Sequence, residues 1–184
     1  MRLTLALLVV FLTAGCKPES SGDQLSVRIV RDTYGVAHVY ADDIYGLYFG
    51  YGYAVAQDRL FQMEMTRRST QGTVAAVLGD KYLEFDKTTR RLFDPGSIRR
   101  QLEALSDNDR DIFAGYAAGM NAWLTEVRAA PNALMPRQFA ENSFQPEDWV
   151  AYDVAMIFVG TMVNRFGDFN TELDNLKIFR SLVA

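Results

Sequence analysis

Few residues in this sequence could act as acids, bases or metal ligands. It contains one histidine and one cysteine. His38 is the simplest candidate for a general base near neutral pH, but it lies in a strand-like run with no nucleophile elbow nearby. We therefore expect a structural histidine. One cysteine cannot form an internal disulfide, and one histidine excludes a multi-histidine zinc site within this chain, so any metal would be held through oxygen.

The acidic residues that stand close together form two groups, Asp42 and Asp43, and then Asp107, Asp109 and Asp111. Both groups lie at predicted helix starts, where the helix dipole stabilises negative charge. The second group lacks the glycine and the distal glutamate of an EF-hand calcium loop. We interpret both groups as helix caps. The residues alone therefore give no complete catalytic constellation, and we assign no catalytic residue to this chain.

A short run near the C-terminus has the spacing of a binding surface. Met162 and Phe166 are four residues apart, and Arg165 follows Met162 by three. On a helix these positions share one face, which Phe158 extends. Apolar side chains suit an aryl ring, and a guanidinium suits a carboxylate. Spacing alone nevertheless favours core packing with an arginine that reaches the surface.

The composition is that of an ordinary globular protein. Of 184 residues, 49% are hydrophobic and 23% are charged, which excludes disordered and collagenous classes. The net charge of −4 offers no basic field for a phosphate backbone. We therefore expect no nucleic-acid partner. We find no internal repeat and no evident second domain.

Local patterns predict the elements that would position these residues. Alternation at 25–30 and a β-prone run at 36–40 predict a β-hairpin. A helix is expected from about residue 44 to 70, capped by Asp42 or Asp43 and with an apolar stripe. That stripe consists of Leu47, Tyr51, Ala54, Val55, Leu60, Phe61 and Met65. Close packing of a neighbouring backbone explains Gly46, Gly50 and Gly52, because they form no phosphate-binding motif.

The second half is predicted to be helical as well. Residues 72–95 receive no firm structure. Ser106 and Asp109 resemble a capping box before a helical apolar pattern at 112–127, and Pro131 and Pro136 end that helix and begin an extended connection. Pro146 at a first helical position opens another helix to about residue 166. A last helix is expected over 171–182.

The N-terminus is typical of an export signal. Residues 3–12 carry only Thr4 as a polar residue, and this stretch is too short to span a bilayer. Residues 12–16, LTAGC, resemble the lipobox of bacterial lipoproteins, in which the cysteine, here Cys16, is lipidated. An ordinary cleaved signal is the alternative. We predict a signal peptide over 1–15, a flexible tether over 16–24 and one domain over 25–184.

Longer blocks then carry a resemblance to a known family. IVRDTYG at 29–35, GYGYAVAQDRLFQMEM at 50–65, RRSTQG at 67–72 and DVAMIFVGTM at 153–162 resemble the α chain of penicillin G acylases (penicillin amidases). The resemblance covers about four fifths of the chain. It implies an N-terminal-nucleophile hydrolase that is made as a precursor, in which an α segment and a larger β segment are separated by self-cleavage. The β segment is missing here.

The resemblance implies a fold and a mechanism. The expected fold is α+β and mostly α, with the hairpin at its N-terminus, completing an αββα core with the β chain. The first residue of the β chain would be the attacking serine, activated by its own α-amino group. This chemistry needs no histidine, which agrees with the residues present. The expected reaction hydrolyses penicillin G to phenylacetate and 6-aminopenicillanic acid, and this chain alone would be inactive.

The resemblance also implies roles for single residues. Met162 and Phe166 match acyl-pocket residues, and Arg165 matches a residue at the pocket mouth. Glu172 matches the α-chain ligand of a calcium ion held mainly by the β chain, and a carboxylate oxygen is a suitable donor. The loop at 167–171 departs from the family's serine-rich pattern.

Three alternatives remain open for the function. They are the penicillin amidase, an acylase for another amide such as an acyl-homoserine lactone or a cephalosporin, and a noncatalytic lipoprotein-like binding module. Met162 with Phe166 suits a compact aromatic acyl group better than a long alkyl chain. The expected partners are the β chain and a small amide. The expected location is the periplasm, with a membrane contact only through a lipid on Cys16.

Overall fold

The computed structural model describes the backbone of residues 26–166 and 171–183 and the side chains of 26–163 and 174–182. It is mostly helical, with one two-stranded sheet among the described residues. The elements are β1 Val27–Arg31, β2 Ala37–Ala41, α1 Ile44–Gln71, α2 Ala75–Leu78, a 3-10 helix Asp80–Tyr82, α3 Leu83–Arg90, α4 Pro95–Glu103, α5 Asp107–Ala129, α6 Pro131–Leu134, α7 Arg137–Glu141, α8 Ala151–Phe166 and α9 Thr171–Val183.

The predicted hairpin is confirmed. Strands β1 and β2 are antiparallel, with Val27 opposite Ala41. Asp32 closes the turn, because its carboxylate accepts hydrogen bonds from the backbone N–H groups of Tyr34 and Val36. Gly35 supplies the positive φ of 80° that the turn needs. An isolated two-stranded sheet is only marginally stable, and this sheet packs against α1.

Helix α1 matches its prediction to within one residue at its C-terminus. The Asp43 carboxylate accepts a hydrogen bond from the Gly46 N–H, and Gly72, at φ 65°, caps the other end. The backbone leaves helical geometry at Arg59, where φ is −140° and ψ is 25°. Such a departure produces a kink in the middle of the helix.

The buried face of α1 differs from the predicted stripe. Leu47 and Tyr51 are exposed, whereas the buried positions include Gly46, Gly50 and Gly52. Their role in close packing is confirmed, because a Cβ on Gly52 would lie 2.2 Å from the carbonyl oxygen of Tyr116. Of the predicted stripe, Ala54 and Leu60 are buried as expected, and the three glycines belong to the buried face although the predicted stripe did not include them.

Helix α5 is confirmed, and it packs along α1. Ser106 caps it: its Oγ accepts the Asp109 N–H at 3.2 Å and donates to the Asp109 carboxylate. Glycines on α5 repeat the close approach, since a Cβ on Gly119 would lie 2.0 Å from the carbonyl oxygen of Phe49. The core lies around this contact and contains Ala56, Leu60, Tyr116, Ala117, Met120, Trp123, Leu124, Val127, Phe139 and Trp149.

Short helices occupy residues 72–95, for which the sequence predicts no firm structure. Asp86 is buried, and its carboxylate accepts hydrogen bonds from the backbone N–H groups of Val74 and Ala75. Asp94 caps α4, with Pro95 at the first helical position. The Asp-Pro-Gly sequence therefore begins a helix here rather than marking only a turn.

Two predictions about proline were wrong. Pro131 and Pro136 do not lead into an extended connection, because α6 and α7 follow them directly. Pro146 does not begin a helix, because α8 starts at Ala151. The residues before α8 are held in a nonhelical path by α5: Asn121 bonds both the N–H and the carbonyl of Trp149, and Arg128 donates to the carbonyl of Pro146. The indole of Trp149 is thereby buried in the core.

Candidate functional site

One side of helix α8 is held by the rest of the chain. Near its N-terminus, the Asp153 carboxylate accepts hydrogen bonds from Gln71 of α1 and from the Val150 N–H. Two turns further on, a Cβ on Gly160 would lie 2.3 Å from Cγ2 of Thr70. Residues seven apart share one face of a helix, so these two contacts with α1 lie on the same face of α8.

The opposite side of α8 is open. Phe158 is 57% exposed and Met162 is 38% exposed. Their positions lie roughly 140–180° around the helix from Asp153, at about 100° per residue. The structure therefore places Met162 on an accessible apolar face of α8, and Phe158 shares that face as the spacing predicts. By helical register, positions 165 and 166 share that face, although their side chains lie outside the described set.

A groove of about 680 Å³ borders this face. It lies among α1, α5 and α8. Its lining is Tyr48, Tyr51, Val55, Arg59, Met63, Ile112, Phe113, Tyr116, Val154, Ile157, Phe158 and Thr161. The rings of Tyr51 and Tyr116 meet edge to face at 5.3 Å, and burial raises the pKa of the Tyr116 hydroxyl. The Tyr116 phenol is therefore neutral at physiological pH, and the groove suits apolar groups.

The groove has one charged residue in its lining, Arg59, which stands at the kink of α1. Its guanidinium donates to the Gln62 side chain at 3.0 Å. None of the lining residues pairs a nucleophile with a base. The described lining of the groove therefore suits an apolar partner.

A buried ionic cluster holds the base of α8. Glu64 has 0% exposure, and its two carboxylate oxygens accept hydrogen bonds from Arg67 at 2.5 Å and Arg68 at 2.7 Å. Arg67 also donates to the carbonyl of Asp148, and it lies 3.4 Å from the Asp153 carboxylate. One guanidinium therefore connects α1, the segment before α8 and α8 itself.

Aromatic rings complete the surroundings of the two arginines. The guanidinium of Arg67 lies 4.8 Å from the ring centre of Trp149, and that of Arg68 lies 5.4 Å from Phe144. Arg68 also pairs with Glu147 at 3.0 Å. Stacking and ion pairing together stabilise arginine side chains away from water. The cluster fixes the position of α8 relative to α1.

His38 has no catalytic surroundings. Its Nε2 lies 3.3 Å from the Asp32 carboxylate on an exposed strand. This hydrogen bond is the largest cause that lowers the pKa of Asp32 below its ordinary value. Asp43 caps α1, as expected, whereas the cap of α5 is Ser106, whose hydroxyl donates to the Asp109 carboxylate. Among the residues that the structure describes, no group of three or more potential metal ligands occurs.

The remaining predicted site residues are placed only in part. Arg165 and Phe166 lie in the last turn of α8 and Glu172 in the first turn of α9, as judged from the backbone. Their side chains, and Cys16, lie outside the described residues. No helix in the described part of the chain is long and apolar enough to cross a bilayer.

Neither the buried ionic cluster nor the groove is predicted from the sequence. Glu64, Arg67 and Arg68 have the i, i+3 and i+4 spacing of helix ion pairs, which are usually exposed. The local sequence gives no sign that these three side chains are buried. The groove combines residues from three helices, and no local pattern reveals such a combination.

Comparison with known proteins identifies the architecture. The structure is similar to a thermostable penicillin G acylase from Alcaligenes faecalis, with a TM-score of 0.79 and 55% sequence identity over 86% of this chain and 83% of that chain. This match defines the chain as a helix-rich segment of an N-terminal-nucleophile hydrolase. The penicillin amidase family model matches residues 26–182. The chain belongs to the penicillin amidase family, which confirms the resemblance and the predicted fold class.

Individual relatives place the chain within that family. Penicillin G acylase of Escherichia coli is 56% identical over 156 residues, which make up 85% of this chain and 18% of that protein. The acyl-homoserine lactone acylase QuiP of Pseudomonas aeruginosa is 30% identical over 146 residues, 79% of this chain and 17% of that protein. The chain therefore spans less than a fifth of the length of these curated relatives.

Proposed function

We propose that this chain is the α segment of a penicillin amidase, and that it forms part of the acyl-binding pocket. The observation that carries the proposal is the 56% identity to a penicillin G acylase. The family match over residues 26–182 includes the helix with the exposed Phe158 and Met162. In the proposed reaction, a β chain supplies an N-terminal serine whose α-amino group takes up the hydroxyl proton. The acyl-serine is then hydrolysed by water, releasing phenylacetate after 6-aminopenicillanic acid has left.

The proposed partner is that β chain. The apolar groove and the open face of α8 support this role, because soluble proteins rarely leave such large apolar patches uncovered. The test is expression of residues 17–184 alone and together with a β segment encoded downstream. The chain alone should have no amidase activity and should aggregate, whereas coexpression should give a soluble, active enzyme. A monomeric and cooperatively melting α chain would contradict the two-chain proposal.

The acyl pocket is proposed to include Met162 and Phe166. In the assembled enzyme, Phe166→Leu should lower kcat/KM for phenylacetyl amides relative to short aliphatic amides, because only the former use the ring-sized contact. The expected discrimination is roughly ten- to two-hundred-fold. If Phe166 serves packing instead, all substrates should lose activity together and the melting temperature should fall.

Arg165 is proposed to place the leaving group at the pocket mouth. Arg165→Lys keeps the charge but removes the planar fork that binds a carboxylate. It should therefore impair penicillin G, whose leaving group carries a carboxylate, more than a neutral phenylacetyl anilide. Equal impairment of the two substrates would count against this role.

The proposed calcium contribution is limited to Glu172. The match of Glu172 to the α-chain calcium ligand of the family supports this proposal, and a carboxylate oxygen is a suitable donor. Calcium would act there as a structural ion between the two chains. Glu172→Gln should weaken calcium binding to the assembled protein in a titration calorimeter, and unchanged affinity would contradict the assignment.

Cys16 is proposed as a lipid attachment site that follows an export signal, with the mature enzyme in the periplasm. Two acyl chains anchor a protein stably, whereas one binds only marginally. Cys16→Ser should therefore release the protein from the membrane fraction. If the variant fractionates as the parent does, the chain carries an ordinary cleaved signal.

An acyl-homoserine lactone acylase is the second candidate, supported by the similarity to QuiP. The compact aromatic and thioether side chains on α8, Phe158 and Met162, favour an aryl acyl group over a long alkyl chain. Side-by-side kinetics on penicillin G and a long-chain acyl-homoserine lactone will separate the two. A higher kcat/KM for the lactone would reverse the order of the candidates.

A further inference from the structure

We propose that the contacts between α1 and the rear face of α8 are positioning contacts that set the size of the acyl pocket. The rear face is defined by Asp153 and Gly160, and the front face by Phe158 and Met162. The inference rests on the proposed function, because it concerns the pocket to which α8 contributes. It assigns positioning roles to Thr70, Gly160 and Asp153, none of which needs to touch the substrate.

The closest contact is between Gly160 and Thr70. A Cβ on Gly160 would lie 2.3 Å from Cγ2 and 2.8 Å from Cβ of Thr70. The Thr70 side chain is buried and oriented, since its hydroxyl donates to the carbonyl of Arg67 at 3.0 Å. The absence of a side chain at position 160 therefore determines how near α8 lies to α1.

The second contact lies about 10 Å away along the same face of α8, at 1.5 Å per residue. Asp153 has both carboxylate oxygens engaged, one by Gln71 at 2.7 Å and the other by the Val150 N–H at 2.9 Å, with Arg67 at 3.4 Å. The residues of α1 in these contacts, Arg67, Thr70 and Gln71, belong to its last two turns. Two separate contacts on one face fix both the distance of α8 from α1 and its rotation about its own axis.

The front face moves when the rear face moves. Phe158 and Met162 lie about 160–200° from Gly160 around the helix axis, so a push on Gly160 displaces them directly away from α1. An added methyl group at Gly160 needs about 1 Å to reach an ordinary contact distance from Cγ2 of Thr70. Misplacement of about 1 Å in an enzyme site can reduce the rate by about a hundredfold.

The test is Gly160→Ala in the coexpressed two-chain enzyme. Active sites are counted with an irreversible serine-directed inhibitor, and kcat and KM are measured for phenylacetyl and acetyl anilides. The ratio of kcat/KM for the phenylacetyl anilide to that for the acetyl anilide should fall about tenfold. The displaced Phe158 and Met162 would narrow the pocket in front of α8, which excludes the aryl ring before it excludes the methyl group. Adding Thr70→Ser removes Cγ2 but keeps the hydroxyl, and it should restore the ratio in part.

A matched control introduces a similar steric overlap at a contact that does not involve α8. Gly52→Ala would bring a Cβ to 2.2 Å from the Tyr116 carbonyl oxygen, on the α1–α5 contact. It should lower the yield and the melting temperature and leave the substrate ratio per active site unchanged. Asp153→Asn tests the second contact of the rear face, because it removes the carboxylate charge without adding volume. It should raise KM for the phenylacetyl substrate and leave KM for the acetyl substrate nearly constant.

The outcomes separate this inference from the proposed function. If the parent two-chain enzyme hydrolyses neither anilide, the proposed function fails. If the parent is active, but Gly160→Ala and Asp153→Asn lower only the number of active sites or the melting temperature, the rear face serves stability alone and the inference is overturned. A fallen ratio that Thr70→Ser restores in part supports it.

Discussion

Glu64→Gln tests whether the buried ionic cluster is held together by charge. Glu64, Arg67, Arg68 and Asp153 are all buried, and their formal charges sum to zero. The substitution leaves a net charge of +1 in the interior and removes an acceptor from one of two short hydrogen bonds. Removing one partner from a buried ion pair costs about 3–5 kcal/mol. Because Asp153 and Glu147 still face the arginines, we expect the free energy of unfolding to fall by about 3 kcal/mol, the lower end of this range.

The assay is urea unfolding of the assembled protein, compared at equal m-values. Tryptophan fluorescence is a suitable signal because the Trp149 ring lies against Arg67. Glu147→Gln is the matched control: its carboxylate bonds the same Arg68, but its side chain is 72% exposed. This exposed pair should contribute less than about 1 kcal/mol. If Glu64→Gln costs no more than Glu147→Gln, the reasoning from burial is refuted.

Three further predictions concern the core, a helix cap and a tyrosine. Met120→Ala should cost about 2–5 kcal/mol of unfolding free energy by urea unfolding, because the Met120 side chain is fully buried. Gly72→Ala should cost at least about 2 kcal/mol by the same assay, because φ is 65° and its Cβ would lie 2.6 Å from the Asp86 carbonyl oxygen. At Gly35, φ is 80° and no atom lies within 4 Å of an added Cβ, so Gly35→Ala should lower the free energy of unfolding through backbone strain alone. Burial and the hydrogen bond to Glu126 raise the pKa of Tyr53 from 10.0 to about 12. The contribution of the neutral Tyr53 hydroxyl to folding stability is therefore complete below pH 10.0, and it is lost as the pH rises through 12. Glu126→Gln should lower that pKa in a difference absorbance titration against Tyr53→Phe, and an unchanged pKa would contradict the assigned hydrogen bond.

The two long helices were predictable because their signals are local. Asp43 and Ser106 are capping residues, and each precedes a long helical pattern, so both starts and most of both lengths followed from the sequence. The short helices between residues 75 and 103 were missed. The start of α2 depends on a tertiary cap, Asp86, whose carboxylate bonds backbone N–H groups eleven and twelve residues earlier in the chain. Helix α4 has the local cap Asp94.

Pro146 shows how tertiary contacts override a local signal. Proline followed by two acidic residues is typical of a first helical turn. Here Glu147 and Asp148 pair with Arg68 and Arg128, and α5 binds the backbone around Trp149. These long-range bonds hold the segment out of a helix, and local propensities contain no information about them.

The candidate site was predictable only where one helix carries it. The face of Phe158 and Met162 followed from spacing and resemblance, and the structure leaves it accessible. The residues that hold that helix lie about eighty positions earlier in the chain. The pairing of Arg67 with Asp153 therefore required the folded structure.

The glycine contacts between α1 and α5 have a consequence for mutational tolerance within this family. At Gly52, Gly115 and Gly119, any Cβ would meet a backbone carbonyl at 2.0–2.4 Å, and a backbone cannot move aside as a flexible side chain can. Nearly every substitution there should be purged in a deep mutational scan. The exposed side chains on the front of α8 have no such restriction. If that face lines the proposed acyl pocket, new acyl specificities can arise there by point mutation while the α1–α5 pair remains unchanged.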